Sequence, residues 1–474
     1  MPSTTNGVIW SAIERFSVQG VSFLLGIVIA RLVTPGEYGL IAMLAIFMAI
    51  AQSFIDSGFG NALIQKTDRN EVDYSTVFYF NIVISAILYG VLYFCAPLIA
   101  RFYNQPELTS VTRWIGLNLI FISFSVVQRT RLNIDLNFKL QAKVSLAAVI
   151  ISGIAGITMA YHGWGVWALV FQSLSNNLLS TIFLWASAKW HPMLLFSIDS
   201  FKRLFSFGSK LLASGLLHTI YLNLYSLVIG KFYNAEDVGF YNRAYTISQY
   251  PSTNIVMIVT RAIYPVQCAH QDDDKWLEQH FLGYLRMTCF IVFPLMTLLA
   301  VIAKPLVLLV LTEKWLSAAE LISILSLAYM WYPVMVINNQ MLNVKGRSDL
   351  FFKLEIIKKI FAVIILFATL PFGVVWLCWG VVAYNLFDML LTIVFTKKVI
   401  PTTYISQFHS LKLILLNVTF SSVISYVCLI SIQHVWLQVI TGIIIYISLY
   451  FLICRVLKLK ELVFILDFMH HRLA

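Results

Sequence analysis

The sequence predicts an all-α polytopic membrane protein, with about 14 transmembrane helices in two parallel six-helix lobes plus two C-terminal helices. Three observations lead there. Apolar residues make up 59% of 474 and charged residues only 12%. Runs long and apolar enough to cross a bilayer follow one another with almost no chain left between them. Local patterns of the first half return, in the same order, in the second.

A helix crosses the hydrocarbon core with about 20 residues. The runs that qualify are 8–31, 40–60, 76–100, 111–128, 144–161, 166–186, 205–229, 240–262, 282–302, 318–342, 354–371, 374–396, 410–430 and 436–455. They are too long for the strands of an outer-membrane barrel, and backbone satisfaction in lipid then leaves helices. The first run has no basic residue before it and carries Glu14 and Arg15 inside it. That suits a permanent helix better than a cleaved signal.

Charge sets the orientation. With alternating spans, the odd connections hold six basic residues, Arg31, Arg101, Arg113, Lys231, Lys304 and Lys314. Arg243 lies in the eighth span, and the other 26 of the 33 fall in even connections, termini and adjoining helix ends. The positive-inside rule places both termini in the cytoplasm. It also accounts for the net charge of +11 without nucleic acid.

The repeat is read from four echoes. Ile27 to Arg31 followed by Glu37-Tyr38-Gly39 matches Leu227 to Lys231 followed by Asp237-Val238-Gly239, at an offset of 200. Ile99-Ala100-Arg101 matches Ile302-Ala303-Lys304. Leu132-Asn133 matches Leu342-Asn343, and His162-Gly163 matches Phe372-Gly373, both at an offset of 210. An even number of spans per copy gives a parallel repeat. The expected organisation is a lobe over 1–186, a cytoplasmic linker over 187–204, a lobe over 205–398, and two peripheral helices with a cytoplasmic tail over 399–474. Pro251, Pro294 and Pro333 are expected to kink the eighth, ninth and tenth spans.

Ionisable residues inside a span face a cavity or a partner. Here they are few, and Arg is prominent. Arg15, Arg129, Arg131 and Arg243 would line a cationic chamber for an anionic, phosphate-bearing cargo, since guanidinium binds phosphate in a bidentate way. Gln19, Gln52, Asn81, Asn118, Asn177, Asn223 and Gln249 either bind sugar hydroxyls or join helices. Glu14 and Arg15 also read as a local pair, Arg243 as a snorkelling residue, and Asp388 as a helix–helix hydrogen bond. No P-loop occurs, and Asp272-Asp273-Asp274 reads as a solvated loop. The six cysteines read as buried small residues, and the nine histidines, His470-His471 included, suggest no metal.

The residues resemble a known family. Trp10 to Phe16, Ala30 to Leu40, Asp56-Ser57-Gly58-Phe59-Gly60, Gly163 to Val170, Phe207-Gly208-Ser209 and Gly239 to Tyr245 are similar to Wzx-type polysaccharide flippases. These form the polysaccharide-transporter branch of the MATE-like exporter superfamily, near the colanic-acid exporters. The resemblance implies movement of an undecaprenyl-diphosphate-linked oligosaccharide from the cytoplasmic to the periplasmic leaflet of a bacterial inner membrane, by alternating access. It implies partnership with membrane lipids and with the polymerase and glycosyltransferases of one pathway, and no enzymatic activity. Arg15, Arg31 and Arg243 carry over as cavity or gate residues, and Glu14 and Asp56 join them as candidates for coupling. No cofactor is called for; a proton or Na⁺ gradient is the driving force to consider. Similar exporters often have an Asp in the seventh span two residues after an Asn, where this chain has Tyr225 after Asn223. A MATE-type drug exporter and a membrane-embedded glycan polymerase or glycosyltransferase are the alternatives.

Overall fold

Lipid as the solvent dictates what a side chain does on these helices. In the computed structural model, Phe94 is 80% exposed and Leu98 61% on one helix, while Ser85 of the same helix is fully buried. Ser85 donates to the Ser123 hydroxyl at 3.0 Å inside the packing. Apolar surface outside and paired polar groups inside is the arrangement of a multi-pass membrane protein.

The structure describes residues 4–56, 59–188 and 190–463; within these, the side chains of 4–9, 11–15, 207, 210, 211, 213 and 214 lie outside the description. Packing divides the chain into two compact units, Met1–Gly239 and Phe240–Ala474. The first holds α1 (Thr4–Leu32), α2 (Pro35–Asp56), α3 (Phe59–Gln65), α4 (Glu71–Tyr103), α5 (Leu108–Ile115), α6 (Leu117–Ile134), α7 (Phe138–Tyr161), α8 (Val166–Ala188) and α9 (Ile198–Phe232). α10 (Ala235–Ala269) begins at its end. The second continues with α11 (Asp274–Val310), α12 (Leu316–Met330), α13 (Tyr332–Val344), α14 (Ser348–Thr369), α15 (Val374–Thr396), α16 (Tyr404–Ile430) and α17 (Val435–Val456).

Every predicted span lies on these helices. Two of the spans are interrupted, the fourth at Gly116 and the tenth at Trp331. The second lies on α2 and α3, on either side of residues 57–58, which are outside the described residues. Pro333 therefore starts a helix instead of kinking one, whereas Pro251 and Pro294 lie inside α10 and α11. Nine stretches among the described residues are long and apolar enough to cross a membrane by themselves. The polar groups on α8 and the charged ones on α14 keep these two out of that set. Some of these groups are paired inside the packing, Asn177 of α8 with Asn118 and Lys358 of α14 with Asp388.

In the first unit α7 packs on α1 and α8, α6 on α4 and α8, and α9 on α2, α3 and α4. Hydrogen bonds stitch α8 to α6. Asn177 donates to Asn118 Oδ1 at 2.9 Å, Thr181 to the Phe121 carbonyl at 2.8 Å, and Trp185 to the Phe124 carbonyl at 2.9 Å. In the second unit α11 is central, packed by α12, α16 and α17. The two terminal helices each lay one face against this unit's main core. Tyr446, Tyr450 and Cys454 are buried with Phe290, Phe293 and Met296. The Tyr450 hydroxyl donates to the Phe290 carbonyl at 2.8 Å.

The echoes in the sequence are echoes in the backbone. The Asn137 amide donates to the Leu132 carbonyl and the Arg347 amide to the Leu342 carbonyl, both at 2.9 Å. Each closes a helix C-terminus over a left-handed residue, Leu136 with φ 51° and Gly346 with φ 65°. The α7–α8 and α14–α15 turns each carry a left-handed glycine, Gly163 (φ 79°) and Gly373 (φ 103°).

Candidate functional site

The start of α2 is built by a capping box, Thr34-Pro35-Gly36-Glu37. The Glu37 carboxylate accepts from the Thr34 amide (2.7 Å) and hydroxyl (2.8 Å), and Pro35 sits at the first helical position. α10 starts the same way 200 residues on, where Asn234 Oδ1 accepts from the Asp237 amide at 2.8 Å. The two starts meet. A β-carbon on Gly39 would overlap the Ala235 carbonyl oxygen, and one on Gly239 would overlap the Pro35 carbonyl oxygen. Beside them, the Tyr103 hydroxyl donates to the Met43 carbonyl at 3.1 Å, and Lys231 donates to the Phe102 carbonyl at 2.8 Å. Arg31 ends α1 at this same end of the unit, with an exposed side chain.

A polar track runs from α2 to its neighbours toward the other end. Asp56 ends α2 with an accessible carboxyl that accepts from Gln52 at 3.2 Å. The charge of Arg129, on α6, acts on that carboxyl. Ser53 meets the Thr219 hydroxyl of α9 at 3.2 Å, and Asn223 donates to the Thr219 carbonyl. Of the predicted site residues, Asp56 and Arg129 are thus within electrostatic reach of each other.

Arg131 sits elsewhere. It donates to both Glu71 carboxyl oxygens (3.0 and 3.3 Å) and lies over the Tyr74 and Trp190 rings. Trp190 donates to the same carboxylate at 2.6 Å. The Met193 and Ser197 amides donate to Ser75 and Thr76. The segment before α9 is thereby strapped to the start of α4, with Arg131 in the clasp. Arg15 and Glu14 lie on α1, and their side chains are outside the described residues.

In the second unit Arg243 is half-buried, with its guanidinium 5.5 Å from the centre of the fully buried Trp315 ring. Gln249 hydrogen-bonds the Tyr245 hydroxyl, which also bonds Tyr329. Asp388 accepts from Thr392 at 2.8 Å and pairs with Lys358 at 3.2 Å; Lys358 pairs with Glu355 at 2.9 Å. The Lys358 and Asp388 side chains are under 10% exposed. The positive-inside count includes Lys358 among the cytoplasmic basic residues, whereas it lies paired within the packing. Its position inside the run 354–371, one turn from Glu355, was the available signal. On the α13–α14 connection Arg347 grips Asp349 with two bonds of 2.9 Å, holding that exposed carboxyl down to about 2. Among the described residues no three His, Cys, Asp or Glu side chains cluster as metal ligands would.

The family model for polysaccharide biosynthesis proteins matches residues 28–320, more than half of the chain. The chain belongs to this family. It is 29% identical over 362 residues to the teichuronic acid biosynthesis protein TuaB of Bacillus subtilis (strain 168), covering 74% of each chain. It is 25% identical over 358 residues to the lipopolysaccharide biosynthesis protein WzxC of Escherichia coli (strain K12), covering 75% of this chain and 73% of that one. In fold it is similar to the lipid II flippase MurJ in an inward closed conformation, with a TM-score of 0.75, 14% identity, and 95% and 100% of the two chains covered. A multidrug resistance MATE family transporter in an inward-facing conformation follows at a TM-score of 0.60 and 17% identity, over 83% and 97%. This family member therefore has a MATE-like fold along nearly its whole length.

Proposed function

We propose that this protein moves an undecaprenyl-diphosphate-linked oligosaccharide from the cytoplasmic to the periplasmic leaflet of a bacterial inner membrane, for surface polysaccharide synthesis. Membership of the polysaccharide biosynthesis family carries this reading. An all-helical membrane fold with the half-buried Arg243 in its eighth span supports it. The duplicated lobes, 1–186 and 205–398, would supply alternating access, with both termini in the cytoplasm. The pathway's polymerase and glycosyltransferases would be partners, and the protein itself would perform no chemistry.

Drug export is the second reading, favoured by the fold it shares with a MATE transporter. A site for cationic drugs needs a carboxylate in excess. Here Asp56 has Arg129 acting on it and Asp388 has Lys358. The embedded charge suits a diphosphate better.

Arg15, Arg129 and Arg243 would meet the diphosphate, and Arg131 would hold the linker in place. Glu14, Arg31 and Asp56 are the gate and coupling candidates, with a proton or Na⁺ competing for the Glu14–Arg15 pair. If so, Glu14→Gln weakens the response of transport to an imposed gradient more than Asp388→Asn does; an unchanged response removes Glu14 from coupling. Orientation is checked with single cysteines at His162 and Asp135 in a background without native thiols. An impermeant thiol reagent added outside should label only the first. Cells without the gene should accumulate lipid-linked oligosaccharide on the cytoplasmic leaflet and lose surface polysaccharide. Normal surface polysaccharide in those cells would remove the proposed role.

A further inference from the structure

The second unit carries a cleft that none of the residues discussed so far explains. It opens between the last turns of α10 and α13 and has a volume of about 420 Å³, lined by Arg261, Tyr264, Asn339, Gln340 and Asn343 among others. That lies within the range of about 300–1,000 Å³ of small-ligand sites. Arg261 and Tyr264 are three residues apart on α10; Asn339 and Asn343 are four apart on α13. Each pair therefore shares a helix face. By the charge distribution of the sequence, this is the cytoplasmic end of the eighth and tenth spans.

The lining has a definite chemistry. Three carboxamides, a phenol and a guanidinium converge, and no carboxylate is among them. Gln340 is fixed by donating to Gln267 Oε1 at 2.6 Å. Asn339 Oδ1 is shielded from solvent and accepts no hydrogen bond from the described residues, so a buried acceptor is left for a ligand's donor. Arg261 has an exposed side chain and makes no ion pair with the described residues. Carboxamides pair with hydroxyls through donor and acceptor together. A tyrosine ring offers an apolar face to a sugar ring, and a guanidinium grips phosphoryl oxygens. A drug cation would meet Arg261 with like charge.

We propose that this cleft is a carbohydrate subsite. It takes the sugar next to the diphosphate of the cargo, with Asn339 and Asn343 on its hydroxyls, Tyr264 against its face and Arg261 on the phosphate. This assignment rests on the proposed flippase function and adds to it the place where the glycan is read before it crosses.

The test uses the full-length protein in inside-out vesicles, with Thr260→Cys, a lining position that contacts none of the proposed ligand groups, as the only thiol. Undecaprenyl-diphosphate-linked oligosaccharide extracted from the producing cells should slow maleimide labelling by about tenfold, and bare undecaprenyl diphosphate far less. Equal protection by both lipids overturns the sugar assignment, and protection by neither overturns the cleft. Independently, Arg261→Ala and Asn339→Ala at wild-type membrane abundance should lower flipping by about tenfold, with Arg261→Lys restoring part of it. If wild type flips the lipid and these variants match it, the subsite is wrong and the flippase function stands. If wild type does not flip it, the flippase function fails and the subsite falls with it.

Discussion

Gly39 and Gly239 occupy equivalent places 200 residues apart, and each lies against the backbone that begins the other's helix. A β-carbon on either would overlap a main-chain carbonyl oxygen, of Ala235 in one case and Pro35 in the other. A main-chain carbonyl cannot rotate away as a side chain can. Gly39→Ala should therefore destabilise by about 1–3 kcal/mol or force the two starts apart. Gly36, with nothing within 4 Å of its would-be β-carbon, is the control. A thermal melt of the purified protein should fall for Gly39→Ala and stay put for Gly36→Ala; equal melts would mean that the close approach is not formed.

The repeat makes a second prediction. Leu136 holds the left-handed conformation that Gly346 holds at the equivalent turn. A side chain there costs about 1–2 kcal/mol that glycine avoids, partly offset by the greater freedom of an unfolded glycine. Leu136→Gly should raise the melting temperature, and Gly346→Ala should lower it. No change in either melt would show that the turns are not held in this conformation.

The Lys358–Asp388 pair predicts non-additivity. Removing one partner leaves a buried charge alone and costs about 3–5 kcal/mol. Lys358→Met and Asp388→Asn should each lower stability markedly, and the double variant should lose less than the sum. Glu355 would still face the missing ammonium, so recovery should be partial. Strict additivity would mean the two side chains do not interact.

Arg243 predicts a transport phenotype. Arg243→Ala should lower glycan export without loss of protein from the membrane, and Arg243→Lys should restore only part, because ammonium lacks the planar, bidentate guanidinium. Export at the wild-type level by the Ala variant would leave Arg243 with only its Trp315 contact.

The sequence revealed the spans because lipid demands long apolar runs. It revealed paired local echoes because Gly39 and Gly239, or Gly163 and Gly373, are needed for the local geometry at each place. Long-range partners were out of reach. Lys358 and Asp388 are 30 residues apart, and only the packing of α14 on α15 joins them. Helix periodicity carried further detail. Arg129 and Arg131 are two residues apart on one helix and cannot share a face; one acts on Asp56, the other binds Glu71. Tyr446, Tyr450 and Cys454 recur every four residues, the mark of the one helix face that is buried.

The central claim is that the protein itself carries the lipid-linked oligosaccharide across the bilayer. It is tested most directly in proteoliposomes containing the purified protein and undecaprenyl-diphosphate-linked oligosaccharide in the inner leaflet. An impermeant glycosidase outside reads how much has crossed. The account predicts that the protein makes the inner-leaflet pool accessible, and that Arg243→Ala at equal reconstitution does so more slowly. Accessibility no greater than in protein-free liposomes, with the protein folded and an ion gradient imposed, would contradict it.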